Sequence, residues 1–166
     1  MMGPAVLAAL ALFVTVPSAY TQTDSLPEPV RGTAVLTVGG TCNTEGDCFL
    51  QYGVRLAGLK PGHVSPDVAL FLGTSVLMDF SLAHAGRLGG GFYFSPRLGL
   101  TIGEFRTLAF NVGAGLVAVP WERLVVRLDL TYRDLWIGEH GIATGLGLGS
   151  LTLGVGTISG PVRKSR

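Results

Sequence analysis

The sequence predicts an all-β fold, an eight-stranded antiparallel up-and-down β-barrel of the transmembrane kind, and three observations lead there. First, residues 123–133 read Arg-Leu-Val-Val-Arg-Leu-Asp-Leu-Thr-Tyr-Arg. Leu124, Val126, Leu128, Leu130 and Tyr132 fall on one face of a period-2 strand. Arg123, Arg127, Asp129, Thr131 and Arg133 fall on the other, with Val125 the single apolar intruder. Second, the same alternation recurs along most of the chain. Third, charged residues make up only 14% of the sequence and hydrophobic ones 48%, with a mean hydropathy of +0.48. Ordinary globular domains carry roughly 25% charge. Lysine occurs only at Lys60 and Lys164, whereas a soluble β-protein places lysine on its outer face and edges.

The chain of 166 residues is enough for one domain. Residues 1–19 read as a secretory signal: the apolar run Ala5 to Val16 is too short to span a bilayer as a helix, and Val16-Pro17-Ser18-Ala19 offers small residues for cleavage. The n-region lacks Lys and Arg, and a buried apolar N-terminal helix is the alternative. Residues 20–30 are polar and Pro-containing, a short linker. Residues 31–159 form the barrel and 160–166 a basic C-terminal tail. No later segment has ~18 uninterrupted apolar residues, so no transmembrane helix is expected.

Eight strands are expected, at 31–41, 48–58, 67–82, 90–103, 107–119, 123–134, 137–148 and 151–159, divided by turn signals. The turns include Lys60-Pro61-Gly62-His63 through Pro66-Asp67, His84 to Leu88, Gly103 to Arg106 and Pro120-Trp121-Glu122. Cys42 and Cys48 flank Asn-Thr-Glu-Gly-Asp and are expected to form one disulfide closing the first hairpin. In the second strand Leu50, Tyr52, Val54 and Leu56 oppose Gln51, Gly53 and Arg55. The third is long, with Phe71 and Leu77 breaking its polar face, and exceeds the roughly 9–11 residues needed to cross a bilayer. In the fourth Phe92, Phe94, Leu98, Leu100 and Ile102 oppose Tyr93, Ser95, Arg97, Gly99 and Thr101. In the fifth Leu108, Phe110, Val112, Ala114 and Leu116 oppose Ala109, Asn111, Gly113 and Gly115.

Two arrangements fit such strands. A soluble barrel turns the apolar face inward, and a membrane barrel turns it to lipid. The second is favoured, because the polar face is small and charge-poor, and because eight strands enclose too little room for the large apolar face. Trp121 and Trp136, near opposite ends of the sixth strand, suit interfacial aromatic girdles. Glycine, 25 of 166 residues, then has a purpose. The inward faces Gly141, Ala143, Gly145, Gly147 and Thr152, Gly154, Gly156 leave one wall nearly bare. That space admits Arg55, Arg97, Arg127 and Arg133, with Asp79, Asp129 and Glu139 as partners. Buried charges must pair or cost several kcal/mol each, so an ion-pair network filling the lumen is expected.

On these features the chain resembles the small eight-stranded outer-membrane barrels of Gram-negative bacteria, the group that includes the transmembrane domain of outer membrane protein A. The resemblance covers about residues 30–159. It rests on strand number, alternation, length and signal peptide rather than a motif. It departs at the last strand, Leu151 to Ile158, which lacks the usual terminal aromatic, and at Pro96 inside a strand. It implies a location in the outer membrane with lipid as the surrounding partner; the non-enzymatic, structural or interaction role expected here comes from the residues, as follows.

No enzyme chemistry is assembled in the sequence. Lipid-modifying barrels that resemble serine hydrolases place a Ser two residues after a His, and here His140 is followed at that spacing by Ile142. Glu139 and His140 face opposite sides of a strand, Ser81 and His84 differ in parity, and His63 lies in a turn. Gly89-Gly90-Gly91 opens a strand without a following helix and is no phosphate loop. Asn43, Glu45 and Asp47 could bind a cation, though polar turn composition alone accounts for them. No cofactor or metal is expected, and a net charge of +1 gives no case for nucleic acid. The alternatives are a secreted or periplasmic soluble barrel carrying an apolar ligand, with the faces reversed, and a lipid-modifying outer-membrane enzyme.

Overall fold

Period-2 alternation leaves each strand with two unlike faces, and closing the sheet on itself lets every strand hide one of them while leaving no edge. A computed structural model describes residues 31–103, 107–121, 123–138, 141–143 and 147–159. Its strands are β1 (Arg31–Asn43), β2 (Cys48–Leu59), β3 (Val64–Leu72), β4 (Val76–His84), β5 (Gly86–Gly89), β6 (Phe92–Gly103), β7 (Leu108–Trp121), β8 (Leu124–Gly138), β9 (Gly141–Ala143) and β10 (Leu148–Ser159). The order β1-β2-β3-β4-β6-β7-β8-β10 closes where β10 pairs with β1, so eight antiparallel strands form a barrel. The short β5 and β9 pair with β6 and β8 at its ends.

Register sets the shape. Paired residues trace Leu148, Arg133, Asn111, Gly99, Ser81, Asp67, Ala57, Thr33 and Ile158, returning to β10 ten residues further along it. Eight strands with that shear tilt by roughly 40°. Arg31 and Ser159 lie at one end of the barrel, here the terminus end, with the 60–63 and 85–91 connections and Arg123. The 44–47 and 73–75 turns mark the opposite, loop end.

Two expected elements are corrected. The strand over 67–82 is a hairpin, β3 and β4, turning at Gly73-Thr74-Ser75. The strand over 137–148 does not exist as one unit: Ile137 and Gly138 finish β8, and Leu148 opens β10. The two errors offset each other, so the total of eight stands while the strand identities shift. Pro96 lies inside β6 at a gap in its ladder. β4 pairs with β6 only to Ala83↔Arg97, and β5 resumes at Gly86↔Phe94, so its missing N–H breaks nothing.

Inside and outside differ as membrane burial requires. Leu36, Leu50 and Leu130 are 70%, 68% and 61% exposed on the outer wall, whereas Arg55, Arg97 and Arg133 are at most 1% exposed within. Glycine serves the walls themselves. A Cβ at Gly39 or Gly53, both on the lumen face, would run into the backbone carbonyl of Leu151 or Leu70 on the adjoining strand. Such close approach lets a small barrel bend sharply.

Leu128 lies on the lipid-facing parity of β8 and is 45% exposed. Leu128→Arg is expected to cost about 2–4 kcal/mol near a bilayer midplane, read as a lower urea midpoint for protein folded into phospholipid vesicles. An unchanged midpoint would mean that this wall does not face hydrocarbon.

Candidate functional site

The lumen is layered, and the order along β8 shows how: Val125, then Arg127, Asp129, Thr131 and Arg133, all buried. Apolar side chains gather towards both ends. At the terminus end Val35, Leu59, Ala85, Val117, Val125 and Ile158 pack together. Towards the loop end Ala69, Phe71 and Leu77 form a second cluster, with Trp136 and Leu148 against it. Val125, Phe71 and Leu77, the residues that break the polar pattern in sequence, are members of these clusters.

Four arginines and three aspartates are buried between and beside these clusters. Arg127 donates through Nε to both Asp129 oxygens at 2.8 and 2.9 Å and through Nη2 to Asp67 Oδ2 at 2.9 Å. Arg97 donates to Asp129 Oδ1 and Thr131 Oγ1, both at 2.5 Å. Arg55 donates through Nη1 to Asp67 Oδ1 at 3.0 Å, and its Nε lies 3.8 Å from Asp129 Oδ2. A second group sits nearer the loop end. Arg133 grips Asp79 bidentately, Nε to Oδ1 at 3.1 Å and Nη2 to Oδ2 at 2.7 Å, and donates to Ser150 Oγ at 2.6 Å. Thr101 donates to Asp79 at 2.6 Å, and Asn111 and Ser81 extend the chain. The Phe71 ring joins the two groups, with the Arg55 and Arg133 guanidinium carbons 5.7 and 5.3 Å from its centroid.

Glycines on β7 make room for this. A Cβ on Gly113 would collide with the Leu130 carbonyl and crowd the Arg97 guanidinium, and one on Gly115 would collide with Asp129 and crowd Arg127. Gln51 is 1% exposed and neither of its amide atoms has a hydrogen-bond partner among the described residues. Buried polar atoms of this kind are where ordered water is held.

Of the candidate residues, Arg55, Asp79, Arg97, Arg127, Asp129 and Arg133 all project into the lumen in these pairs, and Glu139 lies outside the described residues. Asp67, assigned from sequence to a turn, belongs to β3 and accepts from two arginines. Its signal was parity, since it shares a face with Phe71. Trp121 is 70% exposed at the end of β7. Trp136 is a correction: it packs on the loop-end lumen cluster rather than standing at a lipid interface. Leu135, with a φ of 59°, forms a bulge that reverses the parity of β8, so Arg133 and Trp136 both turn inward.

Cys42 and Cys48 are cross-strand partners and form a disulfide with a Cα–Cα distance of 4.1 Å. The turn it encloses is held by Asn43 Oδ1, which accepts from the Glu45 and Asp47 amides at 3.0 and 2.9 Å. His63 is exposed, its Nδ1 3.0 Å from the Pro61 carbonyl. Among the described residues no three His, Cys, Asp or Glu side chains come together as metal ligands.

No family profile matches the chain, and no curated protein matches it in sequence. Solved structures do match in fold. The β-barrel domain of Pseudomonas aeruginosa OprF superposes with a TM-score of 0.56 at 15% identity, covering 80% of this chain and 100% of that one. Ail, the attachment invasion locus protein of Yersinia pestis, solved with the heparin analogue sucrose octasulfate, gives 0.56 at 11% identity over 80% and 100%. A de novo designed transmembrane β-barrel gives 0.53 at 12% identity over 82% and 100%. The chain has the fold of the eight-stranded transmembrane β-barrels.

Asp129→Leu removes the carboxylate shared by Arg97 and Arg127. It is expected to cost about 3–5 kcal/mol, because it strands buried charge rather than only deleting a contact. Urea unfolding of the detergent-folded protein measures this, and a variant as stable as the parent would show that the lumen charges are solvated rather than paired.

Proposed function

We propose that the chain is a non-enzymatic outer-membrane β-barrel, exported by residues 1–19, with a lumen largely closed by its own ion-paired side chains. Its role on this reading is structural or interactive, exercised through the loop end and the lipid-facing wall. The observation that carries the proposal is the coexistence of an apolar outer wall with a buried, charged interior that has apolar clusters towards both ends. A water-bathed barrel has no use for the first, and an open pore would lack such clusters. The fold shared with OprF's barrel domain and Ail supports the same setting. A non-enzymatic role fits the histidine geometry, since His63 faces solvent in a turn. The disulfide-tied hairpin between β1 and β2 gives the loop end one rigid feature for a partner to grip.

Semi-native gel mobility of the detergent-extracted protein, with and without boiling, tests the membrane reading. A shift on boiling is expected, because a closed barrel resists detergent until its ladder melts. A chain that stays soluble without detergent and shows no shift would instead support the secreted ligand carrier. In planar bilayers the folded protein is expected to give no steady conductance, and a sustained ohmic current would overturn the closed lumen.

A further inference from the structure

Three side chains on one patch of the lumen wall carry polar atoms that have no hydrogen-bond partner among the described residues. They are Thr37 through Oγ1, Gln51 through both amide atoms, and Arg55 through Nε and Nη2. All three residues are at most 4% exposed. The ladder makes them neighbours. Gln51 and Arg55 are the lumen residues on either side of Gly53 along β2, and Thr37 pairs with Gly53 across the β1–β2 ladder. Opposite and diagonal residues on one face of a sheet lie within reach of long side chains. On its other side Thr37 pairs with Gly154, and Gln51 pairs with Gly39. This stretch of wall is therefore floored by Gly39, Gly53 and Gly154 and rimmed by polar groups. Phe71, the partner of Gly53 on β3, bounds it on that side.

The rim has one chemical sense. Nε and Nη2 form one edge of a guanidinium, and the other lumen arginines use that edge to hold carboxylates. Arg133 presents it to Asp79, and Arg127 presents it to Asp129 and Asp67. Arg55 donates to Asp67 through Nη1 alone. Asp129 Oδ2 lies 3.8 Å from its Nε, beyond hydrogen-bond reach, and Asp129 is already shared by Arg127 and Arg97. The three strands of this wall, β1, β2 and β10, contain no acidic residue. The charge count agrees: four arginines and three aspartates are buried among the described residues, which leaves one positive charge in excess. A buried cationic edge beside an amide and a hydroxyl donor is complementary to a partner that only accepts and carries a single negative charge.

We propose that the lumen binds one small monovalent anion of the halide class, chloride in ordinary salt, received by Arg55 Nε and Nη2 with Thr37 Oγ1 and Gln51 Nε2 as further donors. Gln51 Oε1 is left to ordered water. The inference rests on the closed lumen proposed above and deepens it by giving the arginine network its fourth counter-charge. The site exists only when β1 and β2 are paired. The anion therefore binds the folded chain and not the unfolded one, and stability follows its concentration.

Urea unfolding of the full chain in phospholipid vesicles, with chloride replaced stepwise by the bulky anion gluconate at constant ionic strength, tests this. Near saturation the folding equilibrium constant is expected to rise about ten-fold for each ten-fold rise in chloride, the slope of one bound ion. Gln51→Glu places a carboxylate beside Arg55 in the ion's stead and should flatten that slope while the barrel stays folded in gluconate. Thr37→Val keeps the volume and removes one donor, and it should raise the half-saturating chloride about ten-fold. Crystals grown in sodium bromide should show one anomalous peak in the lumen, bordered by Arg55, Gln51 and Thr37. Parent stability indifferent to chloride, a bromide map without that peak, an unchanged slope in Gln51→Glu or an unmoved half-saturation in Thr37→Val would each overturn the site. The planar-bilayer recording, made on the same protein, separates the two levels: no current together with no chloride dependence refutes the anion alone, and a sustained current refutes the closed lumen beneath it.

Discussion

Asp129 is the residue on which the interior depends. Arg127 and Arg97 donate to it, and Arg55 approaches it, so one carboxylate offsets charge arriving from three strands. A buried guanidinium without a partner is costly, and a barrel of eight strands has no space to let these side chains escape to water. The rest follows from that. Gly115 is bare because Asp129 and the Arg127 guanidinium occupy the volume beside it, and Gly113 because the Leu130 carbonyl of the adjoining strand and the Arg97 guanidinium do. Phe71 lies between Arg55 and Arg133 because an aromatic face is an apolar surface that a cation tolerates. The large apolar side chains are on the outside because the inside is full.

Much of this was legible in the sequence. Alternation alone separates the arginines and aspartates of β8 from its leucines, since a strand has only two faces. Chain breaks were less legible. Gly73-Thr74-Ser75 reverses the chain in three residues without a Pro or a Gly pair, and the apolar alternation of Val68, Leu70 and Leu72 resumes in phase at Val76, Met78 and Phe80. A turn that preserves parity leaves no mark on the pattern, so a hairpin reads as one long strand. Leu135 fails in the opposite sense. It keeps the strand going while reversing its parity, and nothing in Asp-Leu-Trp announces a left-handed backbone.

The candidate site was legible by membership rather than by pairing. Arg55, Arg97, Arg127 and Arg133 were identifiable as inward cations, but their partners depend on which strands lie across the lumen, and that is a property of shear, not of sequence neighbours. Asp67 illustrates the point. It stands twelve residues from Arg55 and sixty from Arg127, and Pro66 beside it suggested a turn. Its role emerges only once β3 is known to begin at Val64.

The seam between β1 and β10 sets a schedule as well as a shape. Its partners lie up to 127 residues apart in sequence, as with Gly32 and Ser159, and the ladder runs from Gly32↔Ser159 to Asn43↔Leu148. Until the last strand emerges, β1 has a partner on one side only, and an open row of backbone donors and acceptors is an invitation to pair with the wrong chain. Closing so long a loop is also entropically slow. A chain that stays unfolded, and apart from its siblings, until its last strand is available avoids that mispairing.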